Sequence, residues 1–228
     1  MAVDAGASAI EVFYCEGLFT GTEAALLLSR FRQTAAELVP VSEQVLRVLS
    51  QRDEPQGIVA TFALLDVPLR AIPLDGDELV LVVDRLQDPG NLGTLIRTAD
   101  AVGATAVVMI EPCVDAFDPK TVRGSMGSLF TVPLVHTEDV SQALGWLREQ
   151  GLQIVGADAQ LGTAWGTGLW AGGTVLVLGN EARGLSEDVR AHIEAWAALP
   201  IIGQAESLNV AVAGGTLMYA WLKANWRN

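Results

Sequence analysis

The residues most suited to chemistry lie in three loops, each following a short apolar run. In the first, Leu79–Val83 leads to Asp88-Pro89-Gly90-Asn91, and Arg97 follows six residues after Asn91. Taken alone, the loop predicts a turn with an asparagine near a helix start, where free backbone N–H groups need acceptors. A guanidinium, in contrast, holds phosphates and oxyanions through several donors and hardly deprotonates. Arg97 lies about 9 Å along the helix from Asn91, so its long side chain can reach the same cleft.

The second loop is in VLVLGNEARGL, residues Val175–Leu185. Gly179 permits a sharp turn and a close backbone approach to a ligand. Glu181 either caps the next helix or faces a ligand, and the residues alone leave both readings open. Arg183 is an exposed charge or a phosphate contact.

The third loop is in LPIIGQAESLNVAVAGG, residues Leu199–Gly215. Ser207 fits the N-cap of the last helix, and we expect Ser207 and Asn209 at a helix N-terminus, which favours anionic groups. Gly214 and Gly215 inside that helix cost about 1 kcal/mol each relative to alanine. Glycines that are present in a helix despite this cost predict a close approach to the helix backbone, either by a ligand or by another helix.

Helix and strand patterns alternate along the chain and predict an α/β fold. Residues 1–72 form a small α/β unit, Leu65–Asp77 is a linker rich in Pro and Gly, and residues 73–228 form a mostly parallel sheet with helices on both faces. Within the second unit, apolar runs predict strands that include Ala106–Ile110, Leu129–Leu134, Gln153–Ala157 and Thr174–Leu178. The last helix carries an apolar stripe through Val212, Tyr219 and neighbouring positions.

Composition narrows the function classes. Two cysteines far apart, Cys15 and Cys113, are typical of reduced thiols in a cytoplasmic protein, and no apolar run has the length of about 20 residues that a membrane span needs. No metal site is expected from two histidines without clustered cysteines. A dinucleotide site is disfavoured because Gly166, Gly168 and Gly172 have the wrong spacing and precede a strand. Ser/His/Asp catalysis also has little support, because the chain has only two histidines.

The net charge of −13 argues against a nucleic-acid partner. Residues 1–72 carry 5 basic and 9 acidic side chains, and residues 73–228 carry 9 and 18. Position matters more than the sum, because exposed charges more than about 10 Å apart are screened at physiological salt. Several cations lie in or beside the three loops: Arg85, Arg97, Lys120, Arg123 and Arg183.

In this order and spacing, the three loops closely resemble the signature motifs of the SpoU/TrmH family of RNA ribose 2'-O-methyltransferases, in the SPOUT superfamily. The resemblance implies a deep C-terminal trefoil knot formed by about residues 174–228, and S-adenosylmethionine as methyl donor. It also implies catalytic, cofactor-binding and RNA-binding sets. These are, respectively, Arg97, Asn91, Glu181, Ser207 and Asn209; Leu178, Gly179, Leu199, Ile201 and Leu208; and Lys120, Arg123 and Arg183.

The resemblance also implies partners: a structured RNA, rRNA before tRNA, and a second copy of the chain paired through the last helix. Residues 39–60 resemble the end of the L30e-like substrate-binding domain that often precedes this catalytic domain, so residues 1–72 are expected to be a partial, RNA-binding version of it. Arg97 would act as the base for the ribose hydroxyl or, on physical grounds, as an electrostatic stabiliser. The alternative function is an inactive RNA-binding or ribosome assembly factor.

Overall fold

The chain divides into two compact units in the computed structural model, which describes residues 2–166 and 168–226. The division falls between Leu65 and Asp66, at the start of the predicted linker, and the predicted boundary at 72/73 lies further along it.

The first unit is a three-stranded sheet with two helices. Its elements are β1 (Ala9–Tyr14), α1 (Glu23–Phe31), β2 (Glu37–Pro40), α2 (Glu43–Ser50) and β3 (Ile58–Phe62). The strand order is β2-β1-β3, with β2 parallel and β3 antiparallel to β1. Val12, Leu28 and Phe31 form its small buried core. A likeness of this unit to the L30e domain stays a prediction.

The second unit is a seven-stranded sheet in the order β6-β5-β4-β9-β7-β10-β8, and every pairing is parallel. The predicted parallel α/β fold is therefore confirmed. The strand order alone traces no knot, so the trefoil knot stays a prediction. The elements are β4 (Leu79–Asp84), α3 (Pro89–Ala101), β5 (Ala106–Ile110), α4 (Pro119–Gly124), β6 (Leu134–Thr137), α5 (Val140–Glu149), β7 (Gln153–Ala157), β8 (Thr163–Ala164), β9 (Thr174–Leu178), α6 (Glu187–Arg190), β10 (Ala195–Ala198) and α7 (Val210–Asn225).

The central strands carry apolar side chains on both faces of the sheet, which explains why helices cover both faces. Val175 and Val177 of β9 join a buried cluster with Leu144 of α5 and Val189 of α6. Leu178 points to the other face, because successive side chains of a strand alternate. On that face the backbone of α7 meets Leu178. Because these strands are buried on both faces, they are continuous runs rich in Val and Leu in the sequence.

Two glycines set how closely the helices approach on the α7 side. A Cβ at Gly214 of α7 would lie 2.4 Å from Leu178 Cδ1 and 2.6 Å from Leu95 Cδ2 of α3. The close approach predicted for this helix is thus present. A Cβ at Gly93 of α3 would lie 2.6 Å from the Thr121 carbonyl oxygen and 2.9 Å from Gly124 Cα, so α3 and α4 are in backbone contact.

The strand predicted at Leu129–Leu134 is wrong. The structure has a 3-10 helix at Ser128–Phe130, and β6 begins only at Leu134. Pro133 has no N–H for a ladder hydrogen bond, and Asp100 of α3 accepts hydrogen bonds from the Ser128 and Thr131 hydroxyls at 2.8 and 2.9 Å. These contacts hold the segment against α3 instead of extending it.

The contact between α3 and α4 predicts opposite effects for one substitution at two helical glycines. Gly93→Ala should lower the free energy of unfolding by about 1–3 kcal/mol, because the new methyl group meets backbone that cannot rotate away. Gly145→Ala on α5 should raise it by about 0.5–1 kcal/mol, since nothing lies within 4 Å of the added Cβ. Urea denaturation measures both. Equal effects at the two sites would contradict the assigned backbone contact.

Candidate active site

The three predicted loops meet at the carboxyl ends of β4, β9 and β10. In an open parallel sheet the loops after the strands gather at that edge, where ligands usually bind. β4 and β9 are direct neighbours, so the loops that follow them start side by side.

Glu181 joins the second loop to the first. Its Oε1 accepts hydrogen bonds from the Asn91 side-chain amide at 3.1 Å and from Asp88 N–H at 3.2 Å. Its Oε2 accepts from Gln87 N–H at 3.3 Å. One carboxylate therefore holds a loop that lies 90 to 94 residues away in sequence. The question left open by the sequence is answered structurally: Glu181 faces the first loop and does not cap α6, whose N-cap is Ser186.

Asn209 joins the third loop to the same network. Its Nδ2 donates to Asn91 Oδ1 at 3.0 Å, and its Oδ1 accepts from the backbone N–H groups of Ala211 and Val212. Asn209 is therefore the N-cap of α7, and the N-cap predicted at Ser207 is wrong. Ser207 lies two residues earlier, exposed in the loop. The chain Glu181–Asn91–Asn209 spans all three loops.

Asp88 caps α3 and also contacts α4. Its Oδ1 accepts from Asn91 N–H at 2.8 Å, and its Oδ2 accepts from Lys120 Nζ at 3.1 Å. These hydrogen bonds, from the backbone first and from Lys120 second, lower the pKa of the Asp88 carboxyl. Lys120, predicted to contact RNA, thus also positions the first loop.

The pKa of Glu181 lies below its ordinary value as the balance of two effects. Partial burial raises this pKa, but the hydrogen bonds from Asn91 and from the backbone N–H groups of Asp88 and Gln87 outweigh it. Glu181 is therefore a carboxylate at neutral pH and acts as an acceptor.

Asn180 shapes the second loop from within. Its Nδ2 donates to the Arg85 carbonyl at 2.8 Å, and its Oδ1 accepts from the N–H groups of Ala182 and Arg183. Asn180 and Gly184 also exchange two backbone hydrogen bonds. The result is a closed turn from which the Glu181 side chain extends toward the first loop.

A buried carboxylate anchors the end of that turn. Asp84, fully buried at the end of β4, accepts from Ser186 N–H at 2.5 Å and from Arg85 Nε at 3.2 Å. Arg85 itself has a left-handed backbone, with φ of 55°. A residue that is not glycine keeps this conformation only when its surroundings impose it, and these hydrogen bonds do so.

A cavity of about 620 Å³ lies beside the network. This volume is within the range of about 300–1,000 Å³ typical of small-molecule sites. Every residue predicted to bind the cofactor lines it, as do three of the five predicted catalytic residues. These lining residues are Leu178, Gly179, Leu199, Ile201 and Leu208, and Glu181, Ser207 and Asn209. The backbone around Gly179 is tight, since a Cβ there would lie 2.3 Å from the Gly184 carbonyl carbon.

Other predicted residues lie outside the cavity. Asn91 is linked to it through Glu181 and Asn209. Arg97 is exposed on α3, and six residues of helix turn it about 120° away from Asn91. In the part of the chain that the structure describes, Arg97, Arg123 and Arg183 form no ion pair. The network and the cavity are thus assembled within one chain, and these three arginines are not brought into them.

Sequence reasoning missed the wall of the cavity that follows β7, formed by Asp158, Ala159 and Gln160. The signal was present, since Asp158 directly follows the predicted strand Gln153–Ala157, and strand ends at this edge carry ligands. A surface or RNA-facing position would be expected for Trp170 in its Gly-rich loop, but this residue is buried and its Nε1 donates to the Trp165 carbonyl.

Residues 2–166 and 168–226 contain no cluster of three or more His, Cys, Asp or Glu side chains able to hold a metal ion. In the same ranges, no helix has both the length and the apolar character that a membrane span needs.

Burial raises the pKa of the Cys113 thiol to about 12, so this cysteine is not a nucleophile at neutral pH.

A parallel α/β sheet with three loops tied together at one edge defines a class, and comparison with known proteins identifies it. The model of the SpoU rRNA Methylase family matches residues 78–219, more than half of the chain. The chain belongs to the SpoU rRNA methylase family.

Its relatives are similar over most of their length. The 23S rRNA (guanosine(2553)-2'-O)-methyltransferase RlmP of Bacillus subtilis is 34% identical over 187 residues, 82% of this chain and 73% of that protein. The 23S rRNA (uridine(2479)-2'-O)-methyltransferase of Streptomyces viridochromogenes is 33% identical over 194 residues, 82% of this chain and 68% of that protein. A crystal structure of an AdoMet-bound rRNA methyltransferase from Sinorhizobium meliloti has a TM-score of 0.87 at 31% identity, covering 97% of this chain and 82% of that one.

The lowered pKa of Glu181 predicts a pH-dependent effect of Glu181→Gln. The hydrogen bonds to the carboxylate contribute stability above the ordinary glutamate pKa of about 4.3, and this contribution is lost as pH falls through the lower folded value. Glu181→Gln should therefore destabilise the protein near neutral pH, and the difference from wild type should shrink below about pH 4. Urea midpoints across this range measure it.

The control for that experiment is Glu149→Gln, which removes an exposed carboxylate of α5 outside the network. It should not reproduce the pH-dependent difference. A gap between wild type and Glu181→Gln that stays constant down to about pH 3.5 would contradict the role given to the ionised carboxylate.

Proposed function

We propose that this protein transfers a methyl group from S-adenosylmethionine to a ribose 2'-hydroxyl of structured RNA, with rRNA the preferred class over tRNA. The hydrogen-bonded chain Glu181–Asn91–Asn209 carries the proposal, because it fixes the three family loops around one cavity. The alternative of an inactive RNA-binding factor is disfavoured, since such a factor has no need to keep this network intact.

The chemistry of the cavity fits S-adenosylmethionine. Its lining includes Glu181 and Glu206, two carboxylates without an ion pair in the described ranges, which suit a ligand with a sulfonium and an ammonium group. Apolar side chains complete the lining and suit an adenine ring: Leu178, Leu199, Ile201, Leu208 and Leu217. Because Gly179 has no side chain, the backbone of Gly184 packs directly against it where both residues line the cavity.

When bound, S-adenosylmethionine supplies an electrophilic methyl group, so the protein has to position the acceptor and stabilise charge. Glu181 and Asn209 orient Asn91, and this rigid set forms one wall of the methyl-transfer site. Arg97 donates hydrogen bonds to the ribose oxygen or its neighbouring phosphate and stabilises the developing alkoxide, and the hydroxyl proton passes to solvent as the oxygen takes the methyl group. A guanidinium holds its proton too firmly to act as an ordinary base.

We infer that two copies of the chain complete the site. Arg97 makes no hydrogen bond to the network of its own chain, which is consistent with an acceptor site shared between subunits. α7 supplies a suitable contact face, since Val212 and Tyr219, seven residues apart, are 56% and 52% exposed. Large apolar residues exposed along one helix face are typical of an association surface.

RNA contacts are assigned to Arg123, Arg183 and Lys120, with residues 1–72 as an L30e-like substrate-binding domain. α4 carries Lys120 and Arg123, and its contact with Gly93 places it beside the helix of Arg97. The preference for rRNA rests on the relatives, because the Bacillus subtilis and Streptomyces viridochromogenes proteins are both 23S rRNA methyltransferases.

Arg97→Ala should abolish methyl transfer, by at least about 100-fold in kcat, because it removes the group that stabilises the alkoxide. Binding of S-adenosylmethionine should stay within about twofold of wild type, since Arg97 lies outside the cavity. Transfer of labelled methyl groups to total RNA measures the first, and calorimetry measures the second. The control Arg148→Ala removes an exposed arginine of α5, outside the network and the cavity, and should retain activity. Full activity of Arg97→Ala would refute the role.

Tyr219→Glu should separate the proposed dimer, because it places a charge in the centre of the apolar face of α7. Sedimentation should give twice the 24.1 kDa chain mass for wild type and the single-chain mass for the variant. The control Val48→Glu introduces the same charge at a 73% exposed valine of α2 and should leave the mass unchanged. A wild-type monomer that is fully active would rule out the shared site.

A further inference from the structure

Asp158 is a half-enclosed carboxylate in the cofactor cavity with no role in the network described above. It directly follows β7 and lines the cavity together with Gln160. Its side chain is 23% exposed, so the carboxylate is sheltered but still reachable from the cavity. Its backbone N–H donates to the Ala197 carbonyl at 3.0 Å, which fixes it on the side of β10, across the cavity from the first loop.

Backbone groups and an arginine hold this carboxylate in one orientation. Oδ1 accepts from the N–H groups of Gln160 and Leu161 at 2.8 and 3.1 Å. Oδ2 faces Arg190, with Nη1 and Nη2 at 3.3 and 3.4 Å. Both contacts to Oδ1 have ordinary hydrogen-bond lengths, whereas both contacts from Arg190 to Oδ2 are longer than the usual range of about 2.7–3.2 Å. Oδ2 is therefore the oxygen that is only weakly engaged and able to accept from a ligand.

Arg190 is itself held in place. Its guanidinium carbon lies 5.0 Å from the ring centroid of Trp196, within the range of a cation–π contact. Trp196 in turn packs on β7, because a Cβ at Gly156 would lie 2.8 Å from its ring. Glycine, tryptophan, arginine and aspartate thus form a stack that ends at the cavity.

We propose that Asp158 accepts hydrogen bonds from the 2'- and 3'-hydroxyls of the adenosine ribose of S-adenosylmethionine; this assignment rests on the proposed function. An acidic residue at a strand end that binds a ribose hydroxyl is a general solution in nucleotide-binding α/β folds. A carboxylate held rigidly by other groups recognises a diol without having to lose its own flexibility on binding.

Charge separates this assignment from binding of the methionine ammonium. Arg190 already neutralises Asp158, so the pair presents acceptors without a net negative charge and suits neutral hydroxyls. Glu206 lines the same cavity and forms no ion pair with any residue in the described ranges, so it suits the cationic ammonium better. The opposite end, beside Asn91 and Glu181, is left for the sulfonium methyl group.

The test compares S-adenosylhomocysteine with its 2'-deoxy and 3'-deoxy analogues by calorimetry, on wild type and on Asp158→Asn. Wild type should lose about tenfold or more in affinity when a hydroxyl is removed, the usual effect of losing a hydrogen bond to a charged group. In Asp158→Asn the same removal should cost no more than about twofold, because the hydroxyl and the carboxylate are coupled. Asp188→Asn, an exposed carboxylate of α6 outside the cavity, should behave as wild type.

Three results would overturn the assignment. The first is wild type binding the deoxy analogues as tightly as S-adenosylhomocysteine, a result that does not depend on the variant folding. The second is an equal hydroxyl penalty in wild type and Asp158→Asn. The third is an effect of Asp158→Asn that disappears with 5'-methylthioadenosine, which lacks the amino acid, because the carboxylate would then bind the ammonium. Failure of wild type to bind S-adenosylmethionine at all would instead refute the proposed function, and this inference with it.

Discussion

The Glu181 carboxylate is the contact on which the geometry of the site depends. The strands fix only where each loop begins, whereas the direction of each loop is set by what it touches. Glu181 collects three donors from the first loop, and Asn91 passes the constraint to Asn209. Each hydrogen bond is modest alone, about 1 kcal/mol net, but the bonds act as one connected set. Losing Glu181 therefore frees two loops at once.

Strand order explains why a third loop closes the cavity. β10 is separated from β9 by β7, so the loop after β10 starts about 10 Å away from the second loop. It must cross that distance and one further strand spacing to reach Asn91 beyond β4, and the chain from Leu199 to Asn209 is long enough to do so. Where it crosses, it covers the end of β7 and encloses space between the strands. The cap that Asn209 provides for α7 fixes the end of this crossing.

Sequence patterns predicted the central strands well, and the reason is physical. β5, β7 and β9 have the predicted bounds because each is a short run rich in Val and Leu or Ile with polar residues or glycine at its ends. The same reasoning failed at Leu129–Leu134, where apolar residues face α3 from a 3-10 turn. Periodicity cannot distinguish the two cases, because the deciding contact comes from Asp100, about 30 residues away.

The site was predictable only in part, for a similar reason. Its loops could be recognised by resemblance, but their mutual contacts depend on tertiary structure. Nothing in the sequence indicates that Lys120 pairs with Asp88, since this needs the backbone contact of α3 and α4. Asp158 was within reach of sequence reasoning, because strand ends in parallel sheets mark ligand sites, but one carboxylate gives no signal without Arg190 beside it.

The acidic composition also has a structural explanation. Most cations near the sheet edge are committed to carboxylates within the protein, as in Arg190 with Asp158, Arg85 with Asp84 and Lys120 with Asp88. They stabilise loops and contribute little to the field felt by a polyanion. Arg97, Arg123 and Arg183 form no such pair, and the few phosphate contacts available at this edge give weak, weakly salt-dependent affinity there. An enzyme of this charge has to select its RNA by the shape of a folded target, because long-range attraction to phosphate works against it.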